Sequence, residues 1–265
     1  MLTMDVSRRT VLRAAAAGGA GMGLAGTGLV TSGPAAPASA SAGQRSGSTG
    51  PARKLRIAIL LFDGVTAVDA IGPCEVLCRI PGAEVVTVGR ESGRVRTDTG
   101  VLTLGVDHTL SQVRTADVLL VPGGNVRDVQ ADPETIRWIQ RVHRHTTWTV
   151  SVCTGSLVLG AAGLLRGLPA TTYWALKTEL AQFGATFVPS RFVEAGRIIT
   201  AAGMSAGIDM SLHLAAKLAG DRIAQALQLV VEYDPQPPFD TGSPDKAGPE
   251  LTSLALRLLR NSGAR

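Results

Sequence analysis

The sequence predicts an α/β domain in which helices cover both faces of a mostly parallel sheet. Two observations support this prediction. Apolar runs of strand length occur at residues 55–62, 117–121 and 147–152, as is typical of strands buried on both faces. These runs alternate with helix-patterned segments, which favours parallel strand pairing. The residues that follow each strand are therefore expected to meet at the carboxyl edge of the sheet, where such folds bind ligands.

The N-terminal half of the domain follows this pattern in order. The almost continuous apolar run at 55–62 predicts the first central strand, and helix-spaced apolar residues over 66–80 predict a helix. Residues 84–88 are rich in valine and predict a short strand. Alternation of polar and apolar residues over 97–106 indicates a hairpin-like excursion, and 117–121 predicts a buried strand that ends at a Pro-Gly-Gly turn.

The C-terminal half repeats the alternation of strands and helices. Pro133 opens a helix over 133–145, because proline is well tolerated in a first helical turn, and 147–152 returns as a strand. The remaining predicted elements are helices over 156–165 and 174–183, short strands over 185–188 and 197–201, and helices over 203–220 and 221–231.

The N-terminal residues differ in composition from the rest of the chain. Arg8 and Arg9 precede a weakly apolar run of glycine and alanine, so residues 1–42 are interpreted as a twin-arginine signal peptide. A retained anchor would need about 20 strongly apolar residues. Residues 43–53 predict a disordered linker and 54–265 one domain. The protein is expected to be exported, to the periplasm or outside the cell, without stable membrane insertion.

Cys153 is the strongest candidate for a reactive residue. The segment Ser-Val-Cys-Thr-Gly stands between a strand and a helix, which is the form of a nucleophile elbow. The partial positive charge of the following helix start favours a thiolate and predicts a pKa below the value of about 8.5 for a free cysteine. Cys153 is therefore predicted to be a catalytic nucleophile, with a structural cysteine at a strand end as the alternative.

Backbone amides are expected near the same point. Gly123 and Gly124 bring the main chain close, and the N–H of Gly124 is predicted to stabilise charge that develops on a substrate, as in an oxyanion hole. The N–H groups of Thr154 and Gly155 point there as well. An ordinary tight turn is the alternative interpretation of the two adjacent glycines.

Asp69 is the candidate acid or base. It follows the first strand at the start of the first helix, within reach of the carboxyl edge of the sheet, where partial burial would raise its pKa. The alternative is that Asp69 only caps that helix. None of the four histidines is placed convincingly to activate Cys153, which disfavours a Cys-His-Asp hydrolase.

Neither a metal site nor a nucleic-acid-binding surface is predicted. Cys74 and Cys78 lie four residues apart without a second pair of ligands, so they are interpreted as small buried apolar residues rather than zinc ligands or a disulfide. The three cysteines leave at least one free thiol. The net charge of +5 comes without basic runs interleaved with aromatic residues, so no binding to nucleic acid is expected.

Several motifs together resemble a known family. The segments SVCTGSLVLGAAGLLRG, ATTYWAL, FVEAGRIITAAGMSAGID and VEYDPQPPFDTGSP, with FDGVTAVDAIGP and LLVPGG, are similar to the ThiJ/PfpI superfamily of class I glutamine amidotransferase-like proteins. They look most like its isonitrile hydratase branch, and the similarity extends from Leu55 to about Pro249. The resemblance implies a flavodoxin-like three-layer sandwich that forms a homodimer and uses neither cofactor nor metal.

The resemblance also implies the roles of individual residues. It places the nucleophile at Cys153, the essential acid at Asp69 and a neighbouring hydroxyl at Thr154, where many relatives of other branches have histidine. Tyr173 replaces the histidine that is usual in this branch, which changes the expected polarity of the substrate pocket.

The substrate pocket is expected to be apolar. Trp174 and the glycine-rich turn that contains Gly203 and Ser205 could shape it together with Tyr173, although Trp174 could equally belong to the core.

The implied activity is hydration of a small isocyanide to an N-substituted formamide through a thioimidate on Cys153. Two alternatives stay open. The first is a glyoxalase-like, deglycase-like or amidase-like enzyme that acts on small carbonyl compounds. The second is a redox-sensing or ligand-binding module in which Cys153 is oxidised rather than catalytic. A DNA-binding regulator is not expected, because few residues follow Pro249.

Overall fold

The structure is a computed structural model that describes residues 54–262, with side chains described through Arg260. The predicted signal peptide (1–42) and linker (43–53) lie outside the described residues. The described residues form an α/β domain, built on a seven-stranded sheet with the order β10-β11-β7-β6-β1-β2-β5.

The elements have the following bounds. The strands are β1 Leu55–Leu60, β2 Ala83–Gly89, β3 Gly93–Arg96, β4 Thr103–Val106, β5 His108–Thr109, β6 Val118–Val121, β7 Trp148–Val152, β8 Pro169–Ala170, β9 Thr186–Phe187, β10 Phe192–Ala195 and β11 Ile198–Ala201. The helices are α1 Ala67–Leu77, α2 Arg127–Ala131, α3 Pro133–His143, α4 Gly155–Ala161, α5 Lys177–Leu180, α6 Met204–Ala219, α7 Asp221–Val230 and α8 Pro244–Ser262.

The sheet is mostly parallel, as predicted. The strands β2, β1, β6, β7 and β11 pair in parallel in this spatial order, which is the flavodoxin-like arrangement. Only β10 at one edge of this sheet is antiparallel to its neighbour. The smaller pairs β3–β4 and β8–β9 lie outside this sheet.

Two hydrophobic layers hold the helices on opposite faces of the sheet. Side chains alternate along β1, so that Ala58 and Leu60 pack in one layer while Ile57 and Ile59 pack in the other. The first layer also contains buried residues of α2, α3, α4 and α5, and the second those of α1, α6 and α7. This arrangement confirms the predicted three-layer sandwich.

Local sequence explains where α3 begins. The Asp132 carboxylate accepts hydrogen bonds from the N–H groups of Glu134 and Thr135, and Pro133 occupies the first helical position. The side chains of Trp138 and Ile139, both fully buried, then fix the helix against the sheet.

Three differences from the predicted elements concern helices, and the short elements α2, β3, β5 and β8 were not predicted at all. The helix after Cys153 ends at Ala161, earlier than the predicted 165, and a turn with Gly163 at φ 77° follows it. The single helix predicted over 174–183 is instead α5 flanked by two 3₁₀ turns. The helix α8, which begins beyond all predicted elements, was missed because prolines and glycines interrupt its first half.

The helix α8 carries apolar side chains that remain exposed. It is kinked at Gly248, where φ is 73°. Four leucines of its second half are exposed: Leu251, Leu254, Leu258 and Leu259. In the described part of the chain, no helix combines the length and hydrophobicity that a membrane span requires.

Candidate active site

Three turns converge at the carboxyl edge of the central strands. The segment 61–66 follows β1, residues 122–124 follow β6, and Cys153 follows β7. They are tied together by main-chain bonds, since the Thr66 N–H donates to the Gly123 carbonyl at 2.9 Å and Val65 forms an isolated bridge with Gly124. The convergence that parallel pairing predicted is therefore present.

Cys153 lies at a sharp and strained turn. Its φ is 58°, in the left-handed region that a residue with a Cβ rarely occupies. Neighbouring groups hold this conformation, because the Cys153 N–H donates to the Ala201 carbonyl at 2.9 Å. The Cys153 carbonyl accepts hydroxyl bonds from Ser156 at 3.1 Å and Thr172 at 3.2 Å. Sequence reasoning missed the bracing by Ser156 and Thr172, since nothing in the sequence indicates which carbonyl a hydroxyl will bind.

Asp69 begins α1 and is fully buried. Its Oδ2 accepts a hydrogen bond from the Gly123 N–H at 3.1 Å. A Cβ on residue 123 would lie 2.8 Å from that Oδ2 and 2.7 Å from the Thr154 amide nitrogen, so only glycine allows the turn to approach both groups. The alternative role of Asp69 as a helix cap does not apply, because Thr66 is the N-cap residue and no carboxylate caps the helix.

Thr154 locks the glycine turn to the elbow. Its Oγ1 accepts from the Gly124 N–H at 2.8 Å and donates to the Gly124 carbonyl at 3.0 Å. This contact corrects one prediction, since the Gly124 N–H is already engaged and is not free for an oxyanion. The Gly123 N–H is likewise engaged by Asp69. The backbone N–H of Thr154 favours the ionised form of the Cys153 sulfur, an effect that by itself would lower the pKa of the thiol.

Gly155 is required by packing. It is the first residue of α4, and a Cβ there would lie 2.1 Å from the Val121 carbonyl oxygen. The close contact brings the start of α4 against the end of β6 and so positions Thr154. A role of the Gly155 amide in stabilising substrate charge stays a prediction.

Burial dominates the protonation of the two central groups. Removal from water raises the pKa of Asp69 from 3.8 to about 7, although the bonds from Gly123 and Cys153 act in the opposite direction. Burial, and then the charge of Asp69, raise the pKa of the Cys153 thiol well above its usual value. The predicted lowering of the Cys153 pKa is therefore wrong. Desolvation and the neighbouring carboxylate outweigh the helix start, and the resting sulfur is a protonated thiol.

The Cys153 thiol and the Asp69 carboxyl group influence each other's pKa. Hydrogen bonding between the two groups lowers the pKa of Asp69 and raises the pKa of Cys153. The Oδ1 of Asp69 is buried and has no hydrogen-bond partner among the described residues. A substrate placed between Cys153 and Asp69 would supply the missing partner.

A second carboxylate was missed in the sequence. Asp98, in the loop between β3 and β4, raises the pKa of both Asp69 and Cys153 through its charge. It accepts a hydrogen bond from the Thr66 hydroxyl, and its N–H donates to the Val65 carbonyl at 3.0 Å. The sequence indicated a hairpin in this region but not that its loop folds back over the start of α1.

Tyr173 is positioned beside the elbow. Burial, followed by the nearby Cys153, raises the pKa of its phenol, and its ring packs in the same apolar layer as Cys153. The centroid of its ring is 5.5 Å from that of Trp174. Trp174 lines a cavity of about 280 Å³, whose other walls are formed by residues 241–258 rather than by Cys153 or Asp69. Only Tyr173 of this pair is therefore placed to contact a group bound to the sulfur.

The start of α6 lies next to the elbow. Gly203 is the N-cap residue of α6. It lies two residues after Ala201, whose carbonyl accepts the hydrogen bond from the Cys153 N–H. Ser205 is exposed, and its hydroxyl accepts a hydrogen bond from Arg191 at 3.2 Å. Gly203 thus borders the site, while Ser205 belongs to a surface network, and its proposed contact with substrate stays a prediction.

His143 and His213 make their contacts away from the elbow. His143 bonds Thr149 at 2.8 Å near the amino end of β7, and His213 pairs with Glu194 at 2.6 Å on the surface. Across residues 54–262 there is no group of three or more His, Cys, Asp or Glu side chains that could hold a metal ion. The geometry supports addition of a thiol to an electrophilic carbon, with a buried carboxyl group to move the proton.

Comparisons with known proteins identify the family of the chain. Residues 55–217 match the model of the DJ-1/PfpI family. The chain is 44% identical over 194 residues to an isonitrile hydratase of Pseudomonas putida, which covers 73% of this chain and 85% of that protein. A deglycase of Pyrococcus abyssi is 26% identical over 149 residues, 55% of this chain and 89% of that one.

A solved structure supports the same relationship. The crystal structure of a ThiJ/PfpI family protein from Pseudomonas syringae superposes with a TM-score of 0.75 at 32% identity, over 84% of this chain and 98% of that one. The family match covers more than half of the chain, and the fold carries the cysteine elbow, the buried acid and the glycine turn of residues 122–124 in one place. The chain therefore belongs to the DJ-1/PfpI family.

Proposed function

We propose that this protein hydrates isocyanides to N-substituted formamides without a cofactor. The observation that carries the proposal is the pairing of the Cys153 thiol with Asp69, a buried carboxyl group whose pKa is raised to about 7. Such a carboxyl group holds a proton near neutral pH and can pass it on. Similarity to an isonitrile hydratase at 44% identity supports the choice of substrate class.

In the first step the thiol adds to the terminal carbon of R–N≡C. The sulfur of Cys153 forms a bond to this carbon, Asp69 delivers a proton to the same carbon, and the thiol proton passes to the Asp69 carboxylate. The product is the thioimidate R–N=CH–S–Cys153, and Asp69 is again protonated. The Thr154 N–H, which favours the ionised sulfur, lowers the energy of the negative charge that develops there during attack.

In the second step water adds to the thioimidate carbon. Its oxygen bonds to carbon, one of its protons reaches nitrogen, and the carbon–sulfur bond then breaks. Sulfur regains a proton as R–NH–CHO leaves. We assign the proton movements of this step to Asp69. The charge of Asp98 raises the pKa of Asp69 and so favours its protonated form.

Thr154 distinguishes this proposal from the carbonyl-directed alternatives. Its hydroxyl is consumed by the Gly124 turn, so the position after the nucleophile offers neither a histidine base nor a free hydroxyl. Asp69 is then the group assigned to exchange protons with the sulfur, and a substrate that accepts a proton as sulfur adds is favoured. The isocyanide carbon, which accepts a proton as sulfur adds, meets this requirement.

The experiment is a substrate panel with the full chain. Alkyl and aryl isocyanides are offered beside methylglyoxal and simple amides, and products are followed by nuclear magnetic resonance. We expect formamide from at least one isocyanide and no catalysed conversion of methylglyoxal. Conversion of methylglyoxal alone would replace the proposal by a glyoxalase-like or deglycase-like activity. Peroxide-sensitive oxidation of Cys153 without turnover of any substrate would favour a redox-sensing module.

Export and dimerisation are proposed along with this activity. The paired arginines Arg8 and Arg9 support export by the twin-arginine route, which cell fractionation of an R8K/R9K variant would test. The four exposed leucines of α8 support a homodimer, because burial between two chains would remove them from water. Light scattering should give twice the chain mass, and a monomer would contradict this part of the proposal.

A further inference from the structure

Two thiols lie together on the outside of α1, away from the active site. Cys74 is half-buried and Cys78 is exposed, so the prediction that both are buried apolar residues is wrong for Cys78. Residues four apart lie on the same face of a helix, so the two side chains are neighbours across one turn. Cys78, the more distant of the two, lies nine residues beyond Asp69, which is about 13 Å along the helix axis. Neither thiol is used by the proposed reaction.

The helix holds the Cβ atoms of Cys74 and Cys78 farther apart than a disulfide allows. The Cys78 N–H donates to the Cys74 carbonyl at 3.0 Å, so the last helical turn is intact between them. Residues four apart on a helix have Cβ atoms about 5–6 Å apart, whereas a disulfide needs about 3.5–4.5 Å. Closing the bond would break this turn. A metal ion that binds both sulfurs separates them by two metal–sulfur bonds, each about 2.3 Å long in the case of zinc. Such an ion can bridge the two cysteines while the helical turn stays intact.

The ligand set selects the type of metal ion. Zinc requires four ligands, and the described residues offer no third His, Cys, Asp or Glu ligand at this place. Two thiolates alone suit a soft cation that accepts linear coordination, of which Cu(I) is the biological example. Such a complex carries one negative charge. The Arg79 Nη1 lies 3.5 Å from the Cys78 sulfur and 2.7 Å from the Glu75 carboxylate, so this guanidinium contacts the sulfur and offsets part of that charge.

We propose that Cys74 and Cys78 form a two-coordinate thiolate site for Cu(I) on the outer face of α1, with Arg79 as the compensating cation. Binding releases one proton from each thiol to the solvent, and the metal keeps its oxidation state. The site is independent of the proposed isocyanide chemistry, because Cys153 and Asp69 take no part in it.

The test uses the fact that the whole chain has only three cysteines. In full-length C153A, Cys74 and Cys78 are the sole thiols, and Cu(I) is titrated against bicinchoninate under anaerobic ascorbate. We expect one Cu(I) per chain. C74S/C153A and C78S/C153A should each bind at least about 100-fold more weakly, since one thiolate of two is lost. R79Q/C153A should bind roughly 10-fold more weakly while retaining the same stoichiometry.

Controls keep each outcome decisive. Circular dichroism must show the same helix content in all variants, and X-ray absorption of the C153A complex should give two sulfur ligands at copper. Undiminished affinity in C74S/C153A would overturn the site, and so would absence of binding to C153A. One Cu(I) per two chains would also overturn it, because that ratio places the ion between exposed Cys78 residues of two molecules.

Discussion

The two cysteine sites of this protein show how position decides what a thiol can do. Cys153 is only 7% exposed, is strained at φ 58° and faces a buried carboxyl group. Cys74 and Cys78 lie in a regular helix turn at the surface, with a guanidinium beside them. The first environment keeps a single sulfur protonated until a substrate accepts the proton. The second offers two sulfurs to a cation. The extent of burial and the presence of a second sulfur separate the proposed covalent catalyst from the proposed ligand pair.

Replacing each kind of cysteine separates the two sites most strongly. C153A should reduce kcat/KM for isocyanide hydration by at least about 10³-fold, because the covalent step is lost. The matched C74S/C78S variant, which removes two thiols instead of one, should stay within about twofold of the wild type. The measurement is formamide production at saturating and at low isocyanide. Equal losses in the two variants would show that the two sites are not distinct.

Removing the acid tests why Cys153 differs from the surface pair. D69N should lower kcat by about 10²–10⁴-fold, the usual contribution of a general acid. In the wild type, kcat/KM should fall as pH rises through about 7, since Asp69 then loses the proton that it must deliver. The residual activity of D69N should lack this inflection. A wild-type profile that stays flat from pH 6 to 9 would remove Asp69 from the mechanism.

The same substitution should stabilise the fold at alkaline pH. The raised pKa means that folded Asp69 holds its proton between pH 3.8 and about 7 while the unfolded chain loses it, so its contribution to stability falls over that range. The difference in free energy of unfolding between D69N and the wild type should therefore grow by about 2–3 kcal/mol from pH 5 to pH 8. Urea unfolding at both pH values measures it. The C74S/C78S variant should show no such trend.

Thr154 tests whether the elbow depends on its contact with the glycine turn. T154V would leave the partly buried Gly124 N–H without its acceptor and should destabilise the protein by about 1–3 kcal/mol. T154S keeps the oxygen and should lose less than about 1 kcal/mol. Thermal or urea unfolding distinguishes them. Equal stability of T154V and T154S would mean that the hydroxyl contact carries no free energy.

The smallest effect concerns Asp98. Its charge contributes to the raised pKa of Asp69, so D98N should move the alkaline limb of the activity profile downward by roughly a few tenths of a pH unit. D245N, which removes the same charge from exposed α8, should leave the limb unchanged. An upward shift in D98N, or an equal shift in D245N, would contradict the assigned influence of Asp98.

Most of the fold could be predicted because it follows from local patterns. The buried strands β1, β6 and β7 are continuous apolar runs, and parallel pairing then brings Asp69, Gly123 and Cys153 to one edge. The helix α8 escaped prediction because prolines and glycines interrupt its first half and its leucines stay largely exposed, so no core pattern marks it.

The protonation of the site could not be predicted from the same patterns. A helix start beside Cys153 suggested a thiolate, but the outcome depends on how completely the surrounding layers exclude water and on where Asp69 points. Asp98 depends likewise on how a surface loop folds back. Such long-range contacts join residues far apart in the chain, and a single sequence carries no local signal for them.

The most direct test of the central claim is rapid-quench mass spectrometry of the wild-type protein during turnover of an alkyl isocyanide. Because the thiol adds across the substrate without a leaving group, the thioimidate should increase the mass of the protein by the full mass of the isocyanide. Peptide mapping should place this mass on Cys153, and C153A should not acquire it. Adducts only on Cys74 or Cys78, or formamide produced by C153A at the wild-type rate, would contradict the account.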